Sequence, residues 1–426
     1  MIVDPGWYTS DRLPATIMNR PGLAEVFAAL AEAGSGPDGA APEDRKTGQT
    51  ALLVGGAVRN ALLGVPADDI DLATPLHPQT VVERLAAAGL RSVPTGLDHG
   101  TVTAIAKGNG FEVTTLRSDV STDGRRATVR FSEDLTEDAG RRDFTINALY
   151  ADAAGRVIDP LGGRVDLSAR RLRFIGDPEQ RIREDYLRIL RFFRFQAWYG
   201  AAAEGVDAEG LAACAALADG IDTLARERIG HEMRRLLAAP DPAPATAAMA
   251  ASGVLARCLP GASAAVLAPL AHLEAQAGRR PDWRIRLAAM APMVESKVLA
   301  DRLRLARAEE RHLAAIAAAA AEPDLSAAAF RHGADAAWGA WLAREAAGGW
   351  ADHPPDPDAA GAAIARGAEA RLPLSARDLS TAGIAPGPAL GAALAKAEAR
   401  FVESGFALDK SALLTYALEA STAEPD

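Results

Sequence analysis

Three stretches run in apolar or alternating residues at strand length: ALLV (51–54), TVTAIA (101–106) and FEVTTL (111–116). Such runs, enriched in β-branched or aromatic residues and bounded by polar or turn-forming residues, read as strands. Helical patches separate them, so residues from Thr50 to about Leu161 read as a mixed α/β unit. Upstream, 21–33 has the pattern of a short helix, and GSGPDGAAPEDRKTG (34–48) that of a linker. From about residue 168 the strand pattern ends. The remainder of the chain is Ala-, Leu- and Arg-rich helix former, broken by Gly/Pro clusters near 239–244, 259–262, 278–281 and 348–358. The divisions this suggests are 1–49 (N-terminal helix and linker), 50–168 (α/β head), 169–240 (helical neck), 241–350 (helical body) and 351–426 (linker and helical tail).

Composition narrows the class. The chain has 426 residues, 49% apolar and 24% charged, which suits a globular protein and excludes a wholly disordered, collagen-like or disulfide-stapled one. Aromatics make up only 5%, so the core rests on Ala, Leu and Val. Cys214 and Cys258 are too far apart in sequence to read as a disulfide framework or a zinc knuckle. The N-terminus lacks an apolar signal core, and the Ala-rich run from Leu313 to Ala321 falls far short of the roughly 20 residues that cross a bilayer. A cytoplasmic protein without membrane or obligate protein partner is expected. The net charge of −10 disfavours indiscriminate coating of nucleic acid, but residues 170–195 hold eight Arg against four Asp/Glu. That is a local basic stripe.

Four blocks carry candidate chemistry. In LLVGGAVRNALLG (52–64) an apolar run ends at Gly55-Gly56 and a helical patch succeeds it. Such a turn lets backbone approach an anion closely, with Arg59 adding charge, although it also serves as a plain structural turn. DDIDLAT (68–74) puts Asp69 and Asp71 two apart, on one face of an extended segment. Two convergent carboxylates repel unless a cation lies between them, and oxygen ligands favour Mg²⁺. RRDFTINALY (141–150) offers Arg142 as a ligand-holding guanidinium that Asp143 would orient. RIREDYLRILRFFRF (181–195) predicts one helix, with Tyr186, Ile189, Leu190 and Phe193 on its apolar side. Glu184, Arg188 and Arg191 fall opposite, continued by Arg194 and flanked by Asp185. A carboxylate only accepts and a guanidinium only donates. Asp185 with Arg188 therefore matches the edge of cytosine or adenine and repels that of uracil or guanine, and Glu184, a turn away, would hold Arg188 in plane.

Together with DPLGGRVDL (159–167) and ERIGHEMRRLL (227–237), these blocks resemble the class II tRNA nucleotidyltransferase family, which includes CCA-adding enzymes and bacterial poly(A) polymerases; LPLSARDLSTAGIAPGPALGAAL (372–394) is a weaker echo of its C-terminal helices. The resemblance implies an α/β nucleotidyltransferase-type head followed by an all-α neck, body and tail. It implies transfer of nucleotides from CTP and ATP to the 3′ end of tRNA, with Mg²⁺ at Asp69 and Asp71. Gly56, Arg59 and Arg142 would contact the nucleotide, and Glu184, Asp185 and Arg188 would template the base, with Arg191 and Arg194 further along the same helix. Glu112 is an outside candidate for a third acidic group. Asn60 stands where the family often has Asp, which removes a supporting carboxylate. The histidines, including His231 and His353, lack the paired His-Asp pattern of the phosphohydrolase domain that some members carry. SDVSTDGRRAT (118–128) reads either as a mobile element near the pocket or as a hairpin loop.

Overall fold

The computed structural model describes residues 11–31, 51–67, 69–97, 100–123, 126–201, 205–348 and 354–422, with backbone alone between 119 and 129. The 34–48 linker, Asp68 and His353 lie outside the described residues, as do the side chains of most of the 118–128 segment. The chain divides into two compact units, Met1–Leu224 with Pro244–Arg257, and Ala225–Ala243 with Cys258–Asp426. Among the described residues no helix is long and apolar enough to cross a membrane.

In the first unit, α1 (Ala15–Met18) and α2 (Leu23–Leu30) precede β1 (Leu52–Val54), α3 (Gly56–Leu62), β2 (Asp71–Thr74) and α4 (Pro78–Ala87). Proline at the first position of α4 suits a helix start, and Val81 and Leu85, one turn apart, are buried. Strands β3 (Arg91–Gly96), β4 (Thr101–Ala106) and β5 (Asn109–Thr115) come next, then the ribbon β6 (Arg117–Asp123) and β7 (Arg126–Phe131). After α5 (Leu135–Gly140) come β8 (Tyr150–Ala151), β9 (Val157–Ile158), α6 (Gly163–Ser168), α7 (Pro178–Glu184) and α8 (Leu187–Tyr199). Seven strands form one mixed sheet in the order β3-β4-β5-β2-β1-β8-β9. Among these described strands only β2 and β5 pair in parallel. The pair β6–β7 stands as a separate antiparallel ribbon, so the hairpin alternative for 118–128 describes its backbone.

The three expected strands are present, and the expected helix after the double glycine opens at Gly56. Two expectations are corrected. Asp69 is not part of the strand: it sits on the bend before β2, which begins at Asp71. The predicted helix over 181–195 is two helices, because Asp185 closes α7 in an extended conformation (φ −157°, ψ 107°). Its carboxylate Oδ1 accepts the Leu187 N–H at 3.1 Å. An aspartate that captures a nearby N–H competes with the helical ladder and marks a boundary, which the 3.6-residue periodicity of the flanking apolar positions conceals.

The apolar face of α8 anchors the unit. Phe144, Phe174, Phe192 and Phe195 interlock with ring centroids 4.9–6.3 Å apart. The second unit is helical throughout its described residues, and the ERIGHEMRRLL block lies in its helix Arg226–Leu237. There Gly230 lets the helix touch the Leu303 carbonyl, which an added Cβ would meet at 1.9 Å. Its tail has a separate core around Leu374, Leu379, Phe401, Leu413 and Ala417.

Candidate active site

The sheet register brings the acidic residues together. Asp71 on β2 stands opposite Glu112 on the parallel β5. On its other side β2 pairs with β1 through Leu53↔Leu72 and Leu52↔Ala73, which carried one residue on sets Asp71 level with Val54. Val54 in turn faces Tyr150 on β8. Registered neighbours project to one face of a sheet, so Glu112, Asp71, Val54 and Tyr150 form a row that ends beside the Gly55 turn.

Electrostatics mark the same spot. The Asp71 carboxyl is pushed up from 3.8 to about 6, first by burial, then by the negative charges of Glu112 and Asp69, with Arg142 opposing. Asp69 and Asp71 are thus within mutual influence, and Glu112 is the stronger neighbour of the two. The donor set is all oxygen and carries unneutralised negative charge, which fits a hard divalent cation. Among the described residues no group of three or more His, Cys, Asp or Glu is placed to hold a metal ion by itself. An open site of this type suits Mg²⁺, which commonly takes one or two carboxylates and completes its shell with water and substrate phosphate.

Arg142 supplies the opposite charge. Its Nε and Nη2 donate to Asp138 Oδ2 at 3.2 and 2.9 Å, and Nε also reaches Tyr150 Oη at 3.1 Å. Its Nη1 turns toward Gly55, where an added Cβ would lie 3.4 Å from it. Asp143 does not orient Arg142, as the sequence suggests. It is buried and accepts from Arg191 Nε (2.7 Å), Asn147 Nδ2 (2.8 Å) and the Phe144 N–H (2.9 Å). Burial acts to raise its carboxyl, but Arg191 and these donors outweigh it and hold it down at about 2.

Gly55 adopts φ +67°, and its N–H is taken by the Leu149 carbonyl at 2.9 Å. Gly56 opens α3. Arg59 is only 6% exposed. It donates to Asn147 Oδ1, to Asn60 Oδ1 (2.9 and 3.1 Å) and to Tyr199 Oη (2.8 Å), with its guanidinium 4.1 Å from the Tyr199 ring centroid. Burial lowers its pKa to about 10. Arg59 therefore bridges α3 to α8. Asn60 accepts from that guanidinium through its amide oxygen while its Nδ2 donates to the Pro66 carbonyl at 3.2 Å, so the missing carboxylate leaves no gap in this bridge.

At the α7–α8 junction, Glu184 pairs with Arg188, as its spacing suggests, and with Arg181 at 2.9 Å. Arg188 also donates to the Arg181 and Arg141 carbonyls at 2.9 and 3.2 Å. Arg181 reaches the Gly140 carbonyl at 2.6 Å and that of Ile175 at 3.0 Å. The guanidinium expected to read a base is thereby fixed from three directions. Much of the basic stripe is paired within the fold, although Arg171, Arg173 and Arg183 stay exposed. Arg171 and Arg173 hold the buried Asp166, Arg183 pairs with Glu179, Arg191 with Asp143, and Arg194 is buried over the Phe195 ring. The sequence reading missed Asp138, Asn147, Tyr150 and Tyr199. Only Asp138 left a signal, standing four residues before Arg142 on a helical turn.

The chain is similar to known proteins over part of its length. The family model described as the poly A polymerase head domain matches residues 51–173, and one described as a probable RNA and SrmB-binding site of polymerase A matches 206–266. The mitochondrial CCA tRNA nucleotidyltransferase 1 of Mus musculus is 44% identical over 186 residues, 43% of either chain. A CCA-adding enzyme of Streptococcus pyogenes is 41% identical over 198 residues, 46% of this chain and 48% of that one. These alignments span less than half the length of the curated relatives. The crystal structure of the Bacillus stearothermophilus CCA-adding enzyme in complex with CTP superposes with a TM-score of 0.67 at 28% identity, over 87% of this chain and 93% of that one. A double-glycine turn, an acidic row and an arginine-braced helix junction thus lie on a scaffold similar to that of CCA-adding enzymes, in a chain whose residues 51–173 match the poly A polymerase head domain.

Proposed function

We propose that the protein is a template-independent nucleotidyltransferase that adds CCA to the 3′ end of tRNA from CTP and ATP, in the cytoplasm and with Mg²⁺. The observation that carries this reading is the meeting of Asp71 with Glu112 across β2 and β5 and with Asp69 just before β2: burial and the two neighbouring charges raise the Asp71 carboxyl, Arg142 offsets this only in part, and a bound cation with its polyphosphate would neutralise the remainder. The similarity to CCA-adding enzymes at 40–44% identity supports the substrate choice.

In the reaction the RNA 3′-hydroxyl attacks the α-phosphorus, a new phosphodiester forms and pyrophosphate leaves. Asp69 and Asp71, with Glu112 beside them, would hold the cation; when bound it lowers the hydroxyl's pKa and offsets charge on the transferring phosphate. Arg142 presents Nη1 over the Gly55–Gly56 turn to a nucleotide oxygen. Arg59 acts indirectly, holding the turn's helix against α8. Asp185 and Arg188 select the base edge, and Glu184 keeps the Arg188 guanidinium in plane. Arg194, buried over the Phe195 ring, and Arg191, partly exposed and paired with Asp143, both stiffen α8. Most of the rate enhancement then comes from positioning and fixed charge.

The family model's description favours a second reading, a poly(A) polymerase. One assay separates them: tRNA lacking its last three nucleotides is incubated with each radiolabelled nucleoside triphosphate and product length is read. We expect C, C and A in order and then arrest. A ladder of A alone establishes the second reading, partial products indicate a CC- or A-adding enzyme, and no incorporation refutes the nucleotidyltransferase reading altogether.

A further inference from the structure

Tyr150 is fully buried, and its hydroxyl donates to Asp138 Oδ2 at 2.8 Å while accepting from Arg142 Nε at 3.1 Å. Asp138 is likewise buried, and its other oxygen takes Arg141 at 2.7–2.8 Å. Two arginines beside it hold the Asp138 carboxyl below its ordinary value against the effect of burial. Asp138 and Tyr150 share the Nε–H of the Arg142 guanidinium, and Asp138 also takes Nη2. Nη1 is left with no protein partner among the described residues, and it is the atom turned to Gly55.

The sheet makes this arrangement directional. Tyr150 pairs with Val54 across β8 and β1, so its ring rises from the strand pair immediately before the turn. It stands on the same face as Asp71 and Glu112. The Arg142 guanidinium lies 5.4 Å from that ring's centroid and close enough to Asp71 to oppose the rise in its pKa. A long arginine side chain loses substantial rotamer entropy when ordered. Here that ordering is done before any ligand arrives.

We propose that Tyr150 and Asp138 are positioning residues for nucleotide binding: they lock Arg142 so that Nη1 faces the gap over Gly55, where it donates to an oxygen of the bound nucleoside triphosphate. The proposal rests on the nucleotidyltransferase reading and adds two residues to it. A guanidinium on a floppy side chain binds the same oxygen more weakly, because binding must then order it.

The test is calorimetric titration of CTP into the full-length protein without RNA, so that affinity is read apart from turnover. Wild-type protein that takes up no CTP refutes the nucleotidyltransferase reading itself. Given wild-type binding, Tyr150→Phe weakens CTP about tenfold, because binding must then order Arg142, while the protein, though it melts lower for the loss of a buried hydrogen bond, stays folded at the assay temperature. Set in an Arg142→Gln background, the same substitution costs nothing more, because its effect passes through Arg142. Undiminished CTP affinity in Tyr150→Phe overturns the proposal, and so does a full additional loss in the Arg142→Gln background. Should Tyr150→Phe fold poorly, Asp138→Asn, which keeps the shape and one acceptor oxygen, is read by the same two comparisons.

Discussion

Asp71 shows how a single carboxylate can be costly to the fold and yet central to the proposed reaction. Its pKa in the fold, about 6, exceeds the unfolded value of 3.8. The folded protein therefore holds this proton more tightly than the unfolded chain. The associated stability is complete below about pH 4 and is lost as pH rises through about 6. Without divalent cation, Asp71→Asn removes that penalty, and we expect it to melt higher than wild type at pH 8 while the two converge at pH 4. The same substitution, like Asp69→Ala, should abolish incorporation while tRNA still binds; retained turnover in either variant refutes the metal-holding role. Wild-type activity should fall as pH drops through about 6, because a protonated Asp71 no longer attracts the cation, and added Mg²⁺ should shift that fall to lower pH. Gly55→Ala tests the turn. A side chain at φ +67° costs about 1–2 kcal/mol, and its Cβ would crowd Arg142 Nη1 at 3.4 Å. CTP affinity should drop more than melting temperature.

At the scale of elements, the α7–α8 junction is the feature that sets the candidate base-reading residues in place. Continuous helix through 181–195 would leave Asp185 and Arg188 as ordinary surface neighbours. The break at Asp185 frees its backbone from the ladder, and Arg181, Glu184 and Arg188 lace the two helix ends to the carbonyls of Gly140, Arg141 and Ile175. We expect Arg188→Ala, and more mildly Arg181→Gln, to admit UTP or GTP in a four-nucleotide incorporation assay, because the first removes the guanidinium that would read the base edge and the second loosens the junction that holds it. Selectivity unchanged in both variants would remove the junction from base choice.

For the molecule as a whole, a few buried charges brace the packing. In the second unit Arg286, 1% exposed, pairs with Glu274 at 2.6 Å and donates to the carbonyls of Leu237, Ala239 and Pro240. It thereby satisfies the open C-terminal end of the helix Arg226–Leu237. Removing one partner strands a buried charge, so Arg286→Met should cost about 3–5 kcal/mol, read as a lowered denaturant midpoint. In a chain of net charge −10, the RNA contacts of the proposed reaction would come from local clusters, and affinity for tRNA should fall steeply with salt.

The local pattern of the chain determined the strands at 51–54, 101–106 and 111–116, the glycine turn, the acidic pair and the long helical remainder, since each depends on residues adjacent in sequence. Spacing alone also paired Glu184 with Arg188. It misassigned the partner of Arg142 as Asp143, and it treated Arg59, Arg191 and Arg194 as solvent- or ligand-facing. Those outcomes depend on packing between elements far apart in sequence, where burial decides which carboxylate meets which guanidinium. Glu112 joined Asp71 through strand pairing, and Tyr150 reached the glycine turn by sheet register. Neither relation exists until the backbone has closed its hydrogen bonds, which is why a linear reading could name the chemistry but not how it is held in place.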